Sequence, residues 1–81
     1  MDEVPIRIDQ IYVPAKRRAE IDPARVESLA ENILEEGLKV PISVRRGKGR
    51  YVLVAGLQRL EAMKALGEDR ITAIVVGSPQ H

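Results

Sequence analysis

The residues whose types and spacing point most directly to chemistry are Gly56-Leu57-Gln58-Arg59. An apolar stretch, Arg50 to Ala55, runs into Gly56, and a helical pattern begins at once behind it. A strand that turns through glycine straight into a helix is a geometry for anion binding. Glycine allows the sharp turn, and the first amides of the helix have no partner within it. Arg59 then falls in the first turn, where a cation opposes the helix dipole by several tenths of a kcal/mol. A bound phosphate would reverse the sign of that argument, because a guanidinium grips it with two N–H groups. The plainer reading stands beside this one: the glycine serves turning alone, and Arg59 pairs with Glu61, Glu36 or another nearby carboxylate.

Other residues carry weaker chemical readings. Glu27, Glu31, Glu35 and Glu36 crowd one short stretch, and a solvated helix face explains them more simply than catalysis does. Ser28 and Asn32, four apart, would reach a ligand only if their helix face lines up with Gly56. For phosphoryl transfer, which needs a carboxylate near the terminal phosphate, Glu20 and Glu36 are the candidates. Two basic clusters, Lys16-Arg17-Arg18 and Arg45-Arg46-Gly47-Lys48-Gly49-Arg50, would suit a nucleic-acid backbone. Equally, the second cluster would blunt an exposed sheet edge. With no Phe, no Trp and two tyrosines, a base-stacking platform for single strands is disfavoured.

The chain has no cysteine, which removes thiol nucleophiles and thiolate metal ligands and fits a cytoplasmic protein. Its only histidine is His81, the last residue, so neither a histidine-based metal cluster nor a Ser/His/Asp arrangement is expected. No acidic cluster suggests paired magnesium ligands, which argues against a nuclease.

The elements that must position these groups follow from periodicity. Val4 to Ile8 alternates as a first strand, and residues 11–21, with Pro14 and the basic run, read as a surface loop. Asp22-Pro23 starts a helix that presents Val26, Leu29, Ala30, Ile33 and Leu34 on one face and stops at Gly37. Ile42 to Arg46 and Arg50 to Ala55 form a hairpin about Gly47-Lys48-Gly49. Leu57 to Leu66 is a second helix with Leu60, Met63 and Leu66 inward, ended by Gly67. The apolar run Ile71 to Val76 reads as an interior strand, and residues 77–81 as a loose tail. The order is β-α-β-β-α-β: an α/β (α+β) domain with a small mixed sheet and helices packed on it.

Composition sets the frame. Eighty-one residues make a single domain, residues 1–81 with a core over 4–76. A chain this short buries about 60–65% of its unfolded surface, which is compatible with a homodimer. Net charge is +1, from 13 basic and 12 acidic side chains, so the uneven placement of charge matters more than its sum. The acidic start, Met1-Asp2-Glu3, excludes a signal peptide at this terminus, and no stretch approaches the roughly 18 apolar residues of a membrane span.

A resemblance adds what spacing does not supply. Gly37-Leu38-Lys39-Val40-Pro41-Ile42-Ser43-Val44-Arg45, followed by Ala55-Gly56-Leu57-Gln58-Arg59-Leu60-Glu61-Ala62, resembles the amino-terminal domain of ParB partition proteins. There the pattern is Gly, two or three residues, Pro-Ile, a hairpin and then Gly-x-x-Arg-x-x-Ala. Asp22 to Leu29 also resembles the matching helix of sulfiredoxin, which shares that fold, and the likeness spans residues 4–76. Members of this superfamily bind nucleotides around the Gly-x-x-Arg turn. ParB proteins use CTP as a clamp switch, sulfiredoxin uses ATP to phosphorylate a sulfinic acid, and some relatives are kinases of free serine.

By position, the resemblance implies that Gly56, Leu57, Gln58 and Arg59 surround the phosphates and that Arg25, Ser28 and Asn32 face the nucleotide. The implied cofactor is CTP or ATP with Mg2+, and the implied role is a nucleotide-binding, DNA-binding module in plasmid or chromosome partition. Two alternatives are an ATP- or ADP-dependent phosphotransferase, and a DNA-contacting or protein-interaction domain with a vestigial pocket. In the last, Lys16, Arg17, Arg18, Arg45, Arg46, Lys48 and Arg50 would matter more than Arg59. The departures are informative. Sulfiredoxin has its reactive cysteine directly after the turn glycine, where this chain has Leu57, so sulfiredoxin chemistry in its known form is excluded. ParB usually has Gln where Val40 stands, which weakens cytosine selection. The chain also ends before the helix-turn-helix of ParB, and so reads either as a stand-alone domain or as a piece of a longer protein.

Overall fold

The computed structural model describes residues 2–77. The tail expected over 77–81, and His81 with it, lies outside the described residues apart from Gly77. The strands are β1 (Glu3–Arg7), β2 (Ile11–Tyr12), β3 (Ile42–Arg46), β4 (Tyr51–Ala55) and β5 (Arg70–Val76). The helices are α1 (Ala15–Arg18), α2 (Pro23–Glu36) and α3 (Leu57–Ala65), and a 3-10 turn covers Ile8–Gln10.

The strands form one five-stranded mixed sheet in the order β1-β5-β3-β4-β2. β5 lies between β1, antiparallel, and β3, parallel, so its apolar run is interior as its composition predicts. β3 and β4 pair as the expected antiparallel hairpin. The register shifts between Ser43 and Val44: Ser43 faces Ala55 while Val44 faces Leu53, which leaves Val54 as an extra residue on β4.

The segment 11–21 departs from its reading as a loop. Ile11 and Tyr12 pair parallel to Tyr51 and Val52 as an edge strand, and residues 15–18 form one helical turn. Elements this short carry no periodicity, but Ile11 and Val13 are buried and anchor the segment in the core.

The core is aliphatic. Ile42, Val44, Leu60 and Ala73 are fully buried, with Ile6, Ile71, Leu53 and Leu57 around them. In α3, Leu57, Leu60, Ala62 and Met63 are buried, while Leu66, expected inward, is half-buried at the helix end. α2 begins as its sequence dictates: the Asp22 carboxylate accepts from Ala24 N at 3.1 Å and Arg25 N at 3.4 Å, with Pro23 next. It packs on α3, and none of its residues is fully buried. Val26, Leu29, Ala30 and Ile33 are half-buried, whereas Leu34, expected on the same face, is 75% exposed. Docking against one helix rather than a sheet covers only a narrow stripe, and Leu34 falls beyond it.

Candidate functional site

The turn between β4 and α3 is strained in a way that glycine permits. Gly56 is the N-cap of α3 with φ 103° and ψ 31°, and no side chain caps the helix. A Cβ at this position would meet Ile42 Cγ2 at 2.6 Å and Arg59 Nη2 at 3.2 Å. The backbone therefore passes against the buried Ile42, and the space above Gly56 belongs to the Arg59 guanidinium. The first intrahelical bond runs from Leu60 N to Gly56 O at 2.9 Å. Ahead of it, the amides of Leu57, Gln58 and Arg59 are the unpaired donors of the helix start.

Arg59 carries the clearest electrostatic signal. Its Nε is buried and has no hydrogen-bond partner among the described residues. The carboxylates proposed for it on simpler grounds are engaged elsewhere: Glu61 with Lys64 Nζ at 3.1 Å and Glu36 with Lys39 Nζ at 2.6 Å. A half-buried cation beside the positive end of a helix, with an unsatisfied N–H, is an arrangement that an anion would relieve.

Arg59 opens into a cleft of about 320 Å³ lined by Arg17, Glu20, Arg25, Leu29 and the turn residues Gly56 to Arg59. Two side chains, Arg17 and Gln58, hold the segment before α2 over this turn. Arg17 Nη1 donates to the carbonyl of the bulged Val54 at 2.9 Å, and its Nε lies 3.5 Å from the Glu20 carboxylate. Gln58 accepts from Asp22 N at 3.0 Å and donates to Glu20 O at 2.9 Å.

The structure thus brings together Gly56, Leu57, Gln58, Arg59 and Arg25, with Glu20, around one space. Gln58 reaches it with its amide already committed to the loop. Ser28 and Asn32 are exposed on α2 and do not line the cleft, and Glu36 lies at the far end of that helix. Arg17, read from its cluster as a DNA contact, lines this cleft. Leu29 is a second lining residue that sequence reasoning assigned only to packing. Lys16, Arg18, Arg45, Arg46, Lys48 and Arg50 are exposed and outside it. The position matching the sulfiredoxin cysteine, Leu57, has its side chain in the core at 5% exposure.

Among the described residues, no three His, Cys, Asp or Glu side chains gather where they could hold a metal ion, and no helix is long and apolar enough to cross a membrane. Just past β1, the hydrogen bond between Arg7 and Asp9 holds the Asp9 carboxyl below its usual range and pushes the Arg7 guanidinium up.

Comparison with known proteins gives the family and the fold. A profile of the ParB N-terminal domain matches residues 2–81. The chain is 41% identical over 71 residues to a probable chromosome-partitioning protein ParB of Campylobacter jejuni, covering 86% of this chain and 26% of that protein. Sulfiredoxin from Arabidopsis thaliana superposes with a TM-score of 0.86 at 29% identity, over 96% of this chain and 88% of that one. The C-terminally truncated ParB of Caulobacter crescentus, complexed with CTP-gamma-S, superposes with a TM-score of 0.81 at 25% identity, over 98% and 46% of the two chains.

Proposed function

Because this chain belongs to the ParB N-terminal domain family, we propose that it is a nucleotide-binding module acting in a DNA transaction such as chromosome or plasmid partition. The observation that carries the proposal is Arg59: a buried Nε without a partner among the described residues, beside a left-handed glycine N-cap, in the lining of a cleft. The nucleotide is CTP or ATP. Its phosphates would lie over Gly56 and take the free amides of Leu57, Gln58 and Arg59, with the guanidiniums of Arg59 and Arg25 to either side. Mg2+ would travel on the phosphate oxygens, with Glu20 the carboxylate nearest to hand in the cleft wall. Chromosome partitioning in the relative and CTP-gamma-S in the structural neighbour support the reading.

A second reading, phosphotransfer to a small acceptor, is favoured by one observation: Glu20 lines the same cleft, whereas Glu36 does not. A thermal-shift screen of CTP, ATP, GTP and UTP with and without Mg2+ tests the first reading. A ligand at about 100 times its Kd stabilises the fold by about 2.7 kcal/mol, so a raised melting temperature with CTP or ATP is the expected result. No shift with any nucleotide would overturn the proposal, and nucleotide consumption with an added acceptor would move it to the second reading.

A further inference from the structure

The nucleotide cleft leaves most of the cationic side chains unused, and they are not scattered. Among the described residues, none of Arg18, Arg45, Arg46, Lys48 and Arg50 takes part in an ion pair. Two of them rest on tyrosine rings: Arg50 Cζ lies 4.0 Å from the Tyr12 centroid and Arg46 Cζ lies 5.8 Å from that of Tyr51. These contacts run along the β2 edge of the sheet, where Ile11 and Tyr12 pair with Tyr51 and Val52. Arg46, Arg50 and Tyr51 line one shallow cleft of about 230 Å³ with Gln10. Tyr12 lines a second, of about 210 Å³, with Arg18 and Lys64. Arg50 on Tyr12 joins the two.

We propose that this edge, from the β3–β4 turn through Tyr12 to Arg18 and Lys64, is a contact surface for the phosphodiester backbone of duplex DNA. Three features choose that partner. No carboxylate lines either cleft, although Lys64 keeps Glu61 at 3.1 Å beside the strip. A protein partner would call for an apolar anchor, and Ile11 and Val13, the aliphatic residues here, are buried at 8% and 7% exposure. Single strands would call for free aromatic faces, and both tyrosine rings carry an arginine. What remains is a strip of exposed cations, two of them resting on tyrosine rings, without an ion pair to compete with phosphate at Arg18, Arg46 or Arg50 among the described residues. Contact would be independent of sequence and strongly salt-dependent. Tyr12 is a positioning residue that holds Arg50. The surface stands apart from the Arg59 cleft, so the proposal survives if that cleft binds no nucleotide.

The test is fluorescence anisotropy of a labelled 30-base-pair duplex of mixed sequence, without nucleotide, titrated with the protein at several salt concentrations. The expected result is binding at low salt whose log K falls with log salt at a slope of roughly −3 to −4, for about four neutralised phosphates. Arg46→Glu with Arg50→Glu should weaken binding by about tenfold or more and flatten the slope, and Lys48→Glu, at the turn apex, covers the case that the double variant does not fold. At about 0.1 M salt, where the Debye length is about 10 Å, Arg70→Glu, a reversal on β5 with β3 and β4 between it and the β2 edge, should cost less than about threefold. No binding by folded protein at low salt would overturn the proposal, and so would equal losses from Arg70→Glu. Displacement by polyglutamate as effective, per charge, as by unlabelled duplex would overturn it in favour of an acidic protein.

Discussion

Gly56 and Arg59 lean on each other. The glycine's φ of 103° is strained for any side chain, and a Cβ there would enter both Ile42 and the guanidinium. Gly67, with a φ of 77°, is left-handed too, closing α3 through Gly67 N–Lys64 O and Glu68 N–Met63 O bonds, but a Cβ there would meet nothing within 4 Å. The two substitutions therefore separate strain from crowding. Gly67→Ala should cost about 1 kcal/mol through backbone strain. Gly56→Ala should cost about 2–4 kcal/mol, because the buried Ile42 must also move. Urea midpoints at constant slope measure the difference, and equal losses would mean that the close approach of Gly56 to Ile42 has no energetic weight. Arg59 is disfavoured at a helix start, and its Nε has no partner among the described residues where it lines the cleft, which is the ground for the proposed phosphate site.

At the scale of elements, the site depends on the stretch before α2 being held over the β4–α3 turn. Gln58 does this with one side chain, bonding Asp22 N and Glu20 O. Gln58→Ala keeps a good helix former but removes both bonds, and should cost about 1–2 kcal/mol, with faster exchange of the Asp22 amide. Unchanged exchange there would show that another contact holds the loop. The helix starts, the hairpin and the interior strand were legible in the sequence because each rests on local signals: Asp22-Pro23, Gly47 to Gly49, and an unbroken apolar run. β2 and α1 were not. A strand of two residues and a helix of one turn have no period, and their places are fixed by burial of Ile11 and Val13 and by Arg17 on Val54. That is also why Arg17 read as a surface charge: only the folded loop brings it to the cleft. Ser28 and Asn32 were placed by resemblance on a helix whose cleft-lining residues here are Arg25 and Leu29, one turn apart.

For the whole molecule, a net charge of +1 conceals a separation. The exposed glutamates of α2 occupy one region and the guanidiniums of the β2 edge another, with the Arg59 cleft formed by α3, α2 and the loop before it. The chain spans 26% of the length of the Campylobacter relative, so what a full-length protein does with a bound nucleotide belongs to more than this domain. The domain's own part in that account is to hold the phosphates, and the most direct measurement is isothermal titration of the folded wild type and of Arg59→Ala with CTP and ATP in the presence of Mg2+. The account predicts binding in the micromolar to millimolar range for the wild type. It predicts at least about tenfold weaker binding, or about 1.4 kcal/mol, for Arg59→Ala. The variant should melt no lower than the wild type, since the replaced cation opposed the helix dipole. Folded wild type that gives no heat with either nucleotide, or an Arg59→Ala variant that binds as tightly, would contradict it.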